Sequence, residues 1–169
     1  MGNNQYGDAA VAQAFRALLD HATRLEQAGL RLDQAGHVAE FTYILTAKQF
    51  DRIRKICRQQ QWPEPNCRGI RFDLESIKHP LLARQLKDGC TADEVLEILT
   101  SAYCSQSQVG LNKPKHAQMV MFSGGRKVLV GKTRYQAVAV IKVCQEGTRK
   151  YLAPVTAFHA TEAKVRSIS

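Results

Sequence analysis

The chain has 169 residues, 44% hydrophobic and 23% charged, which is typical of one globular domain or of one domain with a short appendage. This composition excludes a wholly disordered chain, a collagen-like fibre and a disulfide-stabilised mini-protein. The net charge of +9 is concentrated near the C-terminus, because residues 98–169 carry 11 Lys or Arg against 2 Asp or Glu, whereas residues 1–76 carry 10 against 9. Such a local excess is typical of proteins that bind a polyanion, most often nucleic acid.

Targeting and metal-binding patterns are missing from the sequence. No apolar run approaches the ~20 residues of a membrane helix, and the first residues lack the basic and apolar regions of a signal peptide. We therefore expect no membrane anchor and a cytoplasmic location. The five cysteines are odd in number and form no C-x-x-C pair, which disfavours a disulfide framework or a zinc site, so we expect no metal and no cofactor.

The first half of the chain reads as helices with short strands between them. Apolar residues at alternating spacings of three and four predict a helix from about residue 8 to 40, and we treat residues 1–40 as an N-terminal helical segment before a domain of residues 41–169. A short strand is expected at 41–45. Thr46 then begins a second helix, with Gln49 completing a capping box.

The next stretch contains a histidine in a conspicuous setting. The residue before a proline avoids the helical region, so Lys78-His79-Pro80 is predicted to open a helix and to place His79 at its entrance. Thr91 is predicted to cap the following helix, with Glu94 closing the box. A polar loop is expected at 105–115.

From residue 117 onward the hydrophobic period changes to two. Four strands are predicted, at 117–122, 127–132, 135–143 and 150–159. Their predicted connections are Ser123-Gly124-Gly125, Thr133-Arg134 and Gln145-Glu146-Gly147. Helices followed by an antiparallel meander predict an α+β fold with a four-stranded antiparallel sheet.

A basic sheet can bind RNA or cut it. Metal-free cleavage needs a base for the ribose 2′-hydroxyl, cations for the phosphorane and an acid for the leaving oxygen. Carboxylates are scarce beyond residue 97, where only Glu146 and Glu162 occur, and this disfavours a two-metal nuclease. His79 is the leading catalytic candidate, and alternation places Thr156 and His159 on opposite faces of the last strand.

The cations form a second group of candidates. Arg126 and Lys132 fall on the same face at opposite ends of one predicted strand, where they would line a groove, whereas Lys127 faces the other way. An alternative is that these are edge-strand charges that prevent aggregation. Six further residues are candidates for substrate contact: Lys127, Arg134, Tyr135, Lys113, Lys115 and His159.

The second half of the chain also resembles a known superfamily. The features that carry the resemblance are a His-Pro pair at a helix start, the capped run Thr91-Ala92-Asp93-Glu94-Val95, a Gly-Gly-Arg turn into a basic strand, and the final strand from Tyr151 to Phe158. Over about residues 70–165 the chain is similar to the barnase–EndoU–colicin–RelE (BECR) ribonucleases, especially their phage-encoded branch and the polymorphic-toxin branch of contact-dependent inhibition systems.

The resemblance implies a fold, an activity and a set of site residues. It implies N-terminal helices packed on a twisted four-stranded antiparallel sheet, and metal-independent cleavage of RNA, often tRNA, through a cyclic phosphate. It also implies an acidic immunity or antitoxin partner over the cleft, and action in the cytoplasm of the producing or target bacterial cell. The catalytic set would be His79, Arg126, Lys132 and Thr156, with His159 competing with His79.

Two other functions remain open from the sequence. One is a non-catalytic adaptor that binds nucleic acid through the same basic sheet and needs neither His79 nor Thr156. The other is a protein-interaction module whose basic face meets an acidic partner, for which binding would depend little on salt and nucleic acid would not bind.

Overall fold

The computed structural model describes residues 3–5, 7–28, 40–112 and 118–168. These ranges contain seven strands and five helices, in the following order: β1 Asn3–Gln5, α1 Asp8–Ala28, β2 Phe41–Ile44, α2 Ala47–Gln60, β3 Gly69–Phe72, α3 Leu74–Asp88, α4 Ala92–Ala102, β4 Gln108–Leu111, β5 Met119–Val130, β6 Thr133–Glu146, β7 Arg149–Ala160 and α5 Glu162–Ile168. None of these described helices is long and apolar enough to cross a membrane.

The strands form one mixed sheet in the order β1-β2-β3-β7-β6-β5-β4. The last four strands of the chain make an antiparallel meander, but β3 joins β7 in parallel, β2 pairs antiparallel with β3, and β1 pairs parallel with β2. The predicted α+β class is confirmed, whereas the sheet has seven strands and is mixed, so the predicted four-stranded antiparallel sheet accounts for only part of it. The short strands from the first half extend the meander by pairing at its β7 edge.

The predicted turn at Ser123-Gly124-Gly125 is a bulge inside a single strand. β5 runs through it, and the register with β6 shifts between Ser123 and Lys127. A Cβ atom added at Gly124 would lie 2.5 Å from the carbonyl oxygen of Ser101 on α4, so glycine is needed there for close packing and not for a reversal of the chain. The chain turns instead at Gly131, whose φ of +62° suits a residue without a side chain.

The two faces of the sheet have different partners. Odd-numbered β6 residues such as Ala139 and Ile141 are buried in the main core, which also takes in side chains from α1, α2, α3 and α4; we call this side the helix face. Even-numbered residues such as Lys142 lie on the other side, the open face. There α5 covers one end, where Val165 packs with Val138 in a small separate cluster.

The first helix belongs to the main core. The Phe15 ring on α1 lies 4.8 Å from the Phe41 ring and 4.9 Å from the Phe72 ring, measured between centroids, and also contacts Tyr103. The helix of the predicted N-terminal segment therefore packs in one core with the predicted 41–169 domain. The predicted extension of this helix to residue 40, through 29–39, lies outside the described residues.

The helix starts test the capping predictions. Thr46 and Thr91 both form complete capping boxes, as predicted. The predicted helix start at His79 is wrong, because Asp73 caps α3 and the helix begins at Leu74. Pro80 lies inside this helix with its ring buried, so the proline forgoes one backbone hydrogen bond without ending the helix.

Candidate nucleic-acid site

A cavity of about 580 Å³ opens on the open face, where β2 and β3 meet β7. Its walls carry Arg68 and Arg71 on the β3 side and Arg149 and Tyr151 on the β7 side, and these four residues define what we call the arginine groove. Ser76, in the first turns of α3, closes one flank.

Strand alternation places the charged side chains in this groove. On β3, Arg71 is exposed between Ile70 and Phe72, which are both buried in the core. On β7, Arg149 pairs with Glu146 and Tyr151 pairs with Cys144, both even-numbered β6 residues of the open face. Because β3 joins β7 in the sheet, residues about 80 positions apart in sequence share one surface.

Each arginine is oriented by a neighbour. The guanidinium carbon of Arg149 lies 4.2 Å from the centroid of the Tyr151 ring, in cation–π contact. Arg68 donates from Nε to the carbonyl oxygen of Leu45 at 2.8 Å, and Arg71 forms an ion pair with Glu40. A guanidinium has five donors, so these contacts orient the groups and leave donors for a phosphate.

Two titrating groups in the groove have perturbed pKa values. The hydrogen bond and charge of Glu40 raise the pKa of Arg71. The Tyr151 hydroxyl donates to Glu146 Oε1 at 2.7 Å, and this bond raises the pKa of Tyr151. Tyr151 is therefore a neutral aromatic surface and not a phenolate that would repel phosphate.

The floor of the groove depends on a glycine. A Cβ atom added at Gly69 would lie 2.5 Å from Cγ2 of Thr42 on the neighbouring strand. Glycine therefore leaves room for the Thr42 side chain and keeps space above the strands between the arginines.

Neither His79 nor Thr156 is among the described residues that line the groove, although α3 and β7 each contribute other residues to its walls. Ser76 donates to Oδ1 of Asp73 from both its backbone nitrogen and its hydroxyl, at 3.0 and 2.9 Å, which fixes the first turns of α3. His79 is exposed one turn further along α3, and helix side chains generally lean towards the N-terminus, which is the end of α3 that lines the groove. A bulge at Val155 makes Thr156, paired with Val140, the first open-face residue of β7 after Ala153.

Arg126 and Lys132 lie away from the groove. Arg126 donates from Nε to Ser101 Oγ at 2.9 Å and forms an ion pair with Glu97 at 3.6 Å, so it is held against α4 on the helix face. Lys132 is exposed in the turn after Gly131. None of the four predicted catalytic residues lines the groove, and no contact among the described residues joins these two cations to His79 or Thr156.

The remaining predicted contact residues are dispersed. Lys127 pairs with Glu162 on α5, and Arg134 is exposed near the start of β6, at the end of the open face far from the groove. Tyr135 and His159 contact each other on the helix face, with ring centroids 4.7 Å apart, and burial lowers the pKa of His159. The prediction that Thr156 and His159 lie on opposite faces is confirmed. Lys113 and Lys115 lie outside the described residues.

Sequence reasoning missed all four residues of the arginine groove. Arg71 did give a signal, since it alternates in sequence with the apolar Ile70 and Phe72. The pairing of β3 with β7 gives no local signal, so the sequence pattern did not connect Arg71 with Arg149. Asp88, Cys90 and His159 form a separate group of side chains that could hold a metal ion.

The chain matches no protein-family profile, no curated protein and no solved structure.

Proposed function

We propose that the protein binds RNA in the arginine groove and cleaves it as a metal-independent endoribonuclease. The observation that carries the proposal is the convergence of Arg68, Arg71 and Arg149 on one open cavity beside the half-buried ring of Tyr151. Guanidinium groups suit phosphate oxygens in geometry and charge, and a tyrosine face suits an unstacked base. Single-stranded or looped RNA offers both features together.

The cleavage step we propose uses the 2′-hydroxyl that distinguishes RNA from DNA. His79 accepts the 2′-hydroxyl proton, the 2′-oxygen attacks phosphorus, and the bond to the 5′-oxygen breaks as that oxygen takes up a proton, leaving a 2′,3′-cyclic phosphate. The arginines stabilise the extra negative charge on the phosphorane. Thr156 holds a phosphate oxygen or the ribose through its hydroxyl.

The resemblance to BECR toxins refines the proposal. It favours tRNA as substrate, with rRNA as the next choice, and the cytoplasm of the producing or target bacterial cell as the place of action. It also favours an immunity or antitoxin protein that covers the groove. Such a partner would be acidic, because it must match the charge of three arginines.

A non-catalytic adaptor is the second candidate, and one observation favours it. None of the described residues that line the groove is a histidine, and His79 stands beyond its rim. An adaptor would use the same arginines and Tyr151 and would bind RNA without turning it over.

One experiment separates these candidates. The purified chain is incubated with total bacterial RNA in EDTA, and the products are examined for discrete fragments with cyclic phosphate ends. Fragments support the ribonuclease. Intact RNA that shifts on a native gel supports the adaptor, and intact RNA with no shift contradicts both.

A further inference from the structure

Three side chains of the kinds that bind transition metals meet on the helix face, away from the arginine groove. They are Asp88 at the last position of α3, Cys90 in the link to α4, and His159 near the end of β7. One ligand atom from each lies within 4.8 Å of the other two. We call this group the Asp-Cys-His cluster.

Backbone geometry puts the cluster together. Gly89 ends α3 in the left-handed conformation, with φ of +67°. The chain then folds back so that the Cys90 backbone nitrogen donates to the carbonyl oxygen of Arg84 at 3.1 Å. The Cys90 side chain is directed into the core, where the residue is 5% exposed. His159 reaches the same place because it pairs with Ala137 on the helix face.

The cluster and the neighbouring Arg84 contain buried polar atoms that no described residue satisfies. Nδ1 of His159 and Nε of Arg84 are buried, and neither has a hydrogen-bond partner among the described residues. A buried polar atom without a partner is costly, and in native proteins it commonly marks a missing water or ion. The imidazole in particular has a ring nitrogen beside a thiol and a carboxylate.

We propose that Asp88, Cys90 and His159 bind a divalent cation of the zinc class. A thiolate, an imidazole and a carboxylate together suit Zn²⁺ and disfavour Mg²⁺ and Ca²⁺, which require oxygen ligands. In a tetrahedral zinc site the donor atoms are roughly 3.3–3.8 Å apart, as follows from metal–ligand distances of 2.0–2.3 Å. The three ligand atoms now lie within 4.8 Å of one another. Side-chain movements of about 1 Å would bring them to the tetrahedral separations, and water would fill the fourth position.

The surroundings support a cation there. Arg84 Nη1 donates to Oδ2 of Asp88 at 2.6 Å, which orients the carboxylate and leaves Oδ1 for the metal. The Tyr135 ring packs edge-on against the His159 ring and fixes its orientation. The positive charge of Arg84 is offset by Glu94 nearby and by the negative C-terminal end of α3.

A bound cation would tie the corner between α3 and α4 to the last residues of β7. This role is independent of the proposed ribonuclease, because the arginine groove lies on the other face of the sheet. A Cys-His-Asp hydrolase would use the same residue types, but Cys90 is 5% exposed and offers a substrate no access.

Cobalt is the probe for this site. The reduced protein is freed of metal with EDTA, exchanged into buffer and titrated with Co²⁺, while the thiolate-to-cobalt charge-transfer band and the tetrahedral d–d bands are recorded. We expect both sets of bands to saturate at one Co²⁺ per chain and to disappear when Zn²⁺ is added. Cys90→Ser should lose the charge-transfer band, and His159→Gln and Asp88→Asn should weaken binding by at least tenfold.

Matched controls keep the test decisive. Cys67→Ser removes an exposed cysteine and His79→Gln an exposed histidine, and both variants should bind Co²⁺ as the wild type does. Far-ultraviolet circular dichroism establishes that each variant is folded, and the three ligand variants provide independent readings if one fails to fold. The proposal is overturned by a wild type without the bands, by a band that persists in Cys90→Ser, or by a band lost in Cys67→Ser. None of these results depends on whether RNA is cleaved.

Discussion

Arg149 stacks on Tyr151, with its guanidinium carbon 4.2 Å from the ring centroid, and the Tyr151 hydroxyl is held in turn by Glu146. The two residues are neighbours on the open face of β7, so their stacking follows directly from the period of the strand. A guanidinium already oriented by a ring loses less freedom when it binds phosphate. This pair is therefore the preorganised part of the proposed RNA site.

Replacing Arg149 with alanine should weaken RNA binding without unfolding the protein. Loss of one phosphate contact should lower affinity for all sequences alike and reduce the slope of log K against log salt by about 1. Arg134→Ala removes an exposed arginine at the far end of the open face and should leave that slope unchanged. Fluorescence anisotropy on a labelled RNA across several salt concentrations gives the affinity and the salt slope of each variant. Equal losses of RNA affinity in the two variants would show that binding depends on the overall charge of the protein and not on the arginine groove.

Replacing His79 with glutamine should abolish cleavage and spare binding. Loss of a general base typically costs about 10²–10⁴ in rate, whereas an exposed side chain beyond the groove contributes little to affinity. Leu86→Ala is the control, because Leu86 is also exposed on α3 and has no acid–base chemistry. Single-turnover cleavage rates and dissociation constants are compared. An unchanged rate in His79→Gln would remove this histidine from the mechanism.

Gly124→Ala tests the bulge in β5. The new methyl group would lie 2.5 Å from the Ser101 carbonyl oxygen, and such overpacking costs about 1–3 kcal/mol of the free energy of unfolding. Gly110→Ala on β4 meets no atom within 4 Å and should be close to neutral. Urea unfolding measures the free energy of unfolding of both variants and of the wild type. A neutral Gly124→Ala would mean that α4 does not pack closely on the bulge.

The contribution of Glu94 to the free energy of unfolding should be lost at acid pH. Its carboxylate accepts hydrogen bonds from the backbone nitrogens of Thr91 and Gly131, and these bonds lower its pKa. A carboxyl whose pKa is lower in the folded state stabilises the fold above its unfolded pKa of about 4.3, and that contribution is lost as pH falls through the folded pKa. Glu94→Gln should thus be destabilising at pH 7, and the difference from wild type should shrink below about pH 4. A difference that does not change with pH would contradict this explanation.

Local signals in the sequence predicted local structure well. Thr46 and Thr91 each carry their capping partner three residues on, so both helix starts are determined by neighbouring residues. The alternation in residues 150–159 likewise predicted that Thr156 and His159 lie on opposite faces of β7. In these cases the interacting groups are close in the chain.

Features that depend on distant residues were not predicted. The glycine at 124 has the sequence signature of a turn, but it is required by contact with Ser101 on α4, which no local pattern reveals. Arg71 and Arg149 meet because β3 pairs with β7. Asp88 and Cys90 approach His159 across 69 or more residues, so the spacing of the cysteines alone gives no sign of this cluster.

The most direct test of the central claim combines the groove and the reaction in one measurement. Total bacterial RNA is incubated in EDTA with the wild type, with the double variant Arg71→Ala/Arg149→Ala, and with Lys127→Ala/Arg134→Ala as a control of equal charge loss. We predict discrete fragments ending in 2′,3′-cyclic phosphate from the wild type and the control, and intact RNA from the groove variant. Fragments from the groove variant at the wild-type rate, or intact RNA from the wild type, would contradict a ribonuclease site in the arginine groove.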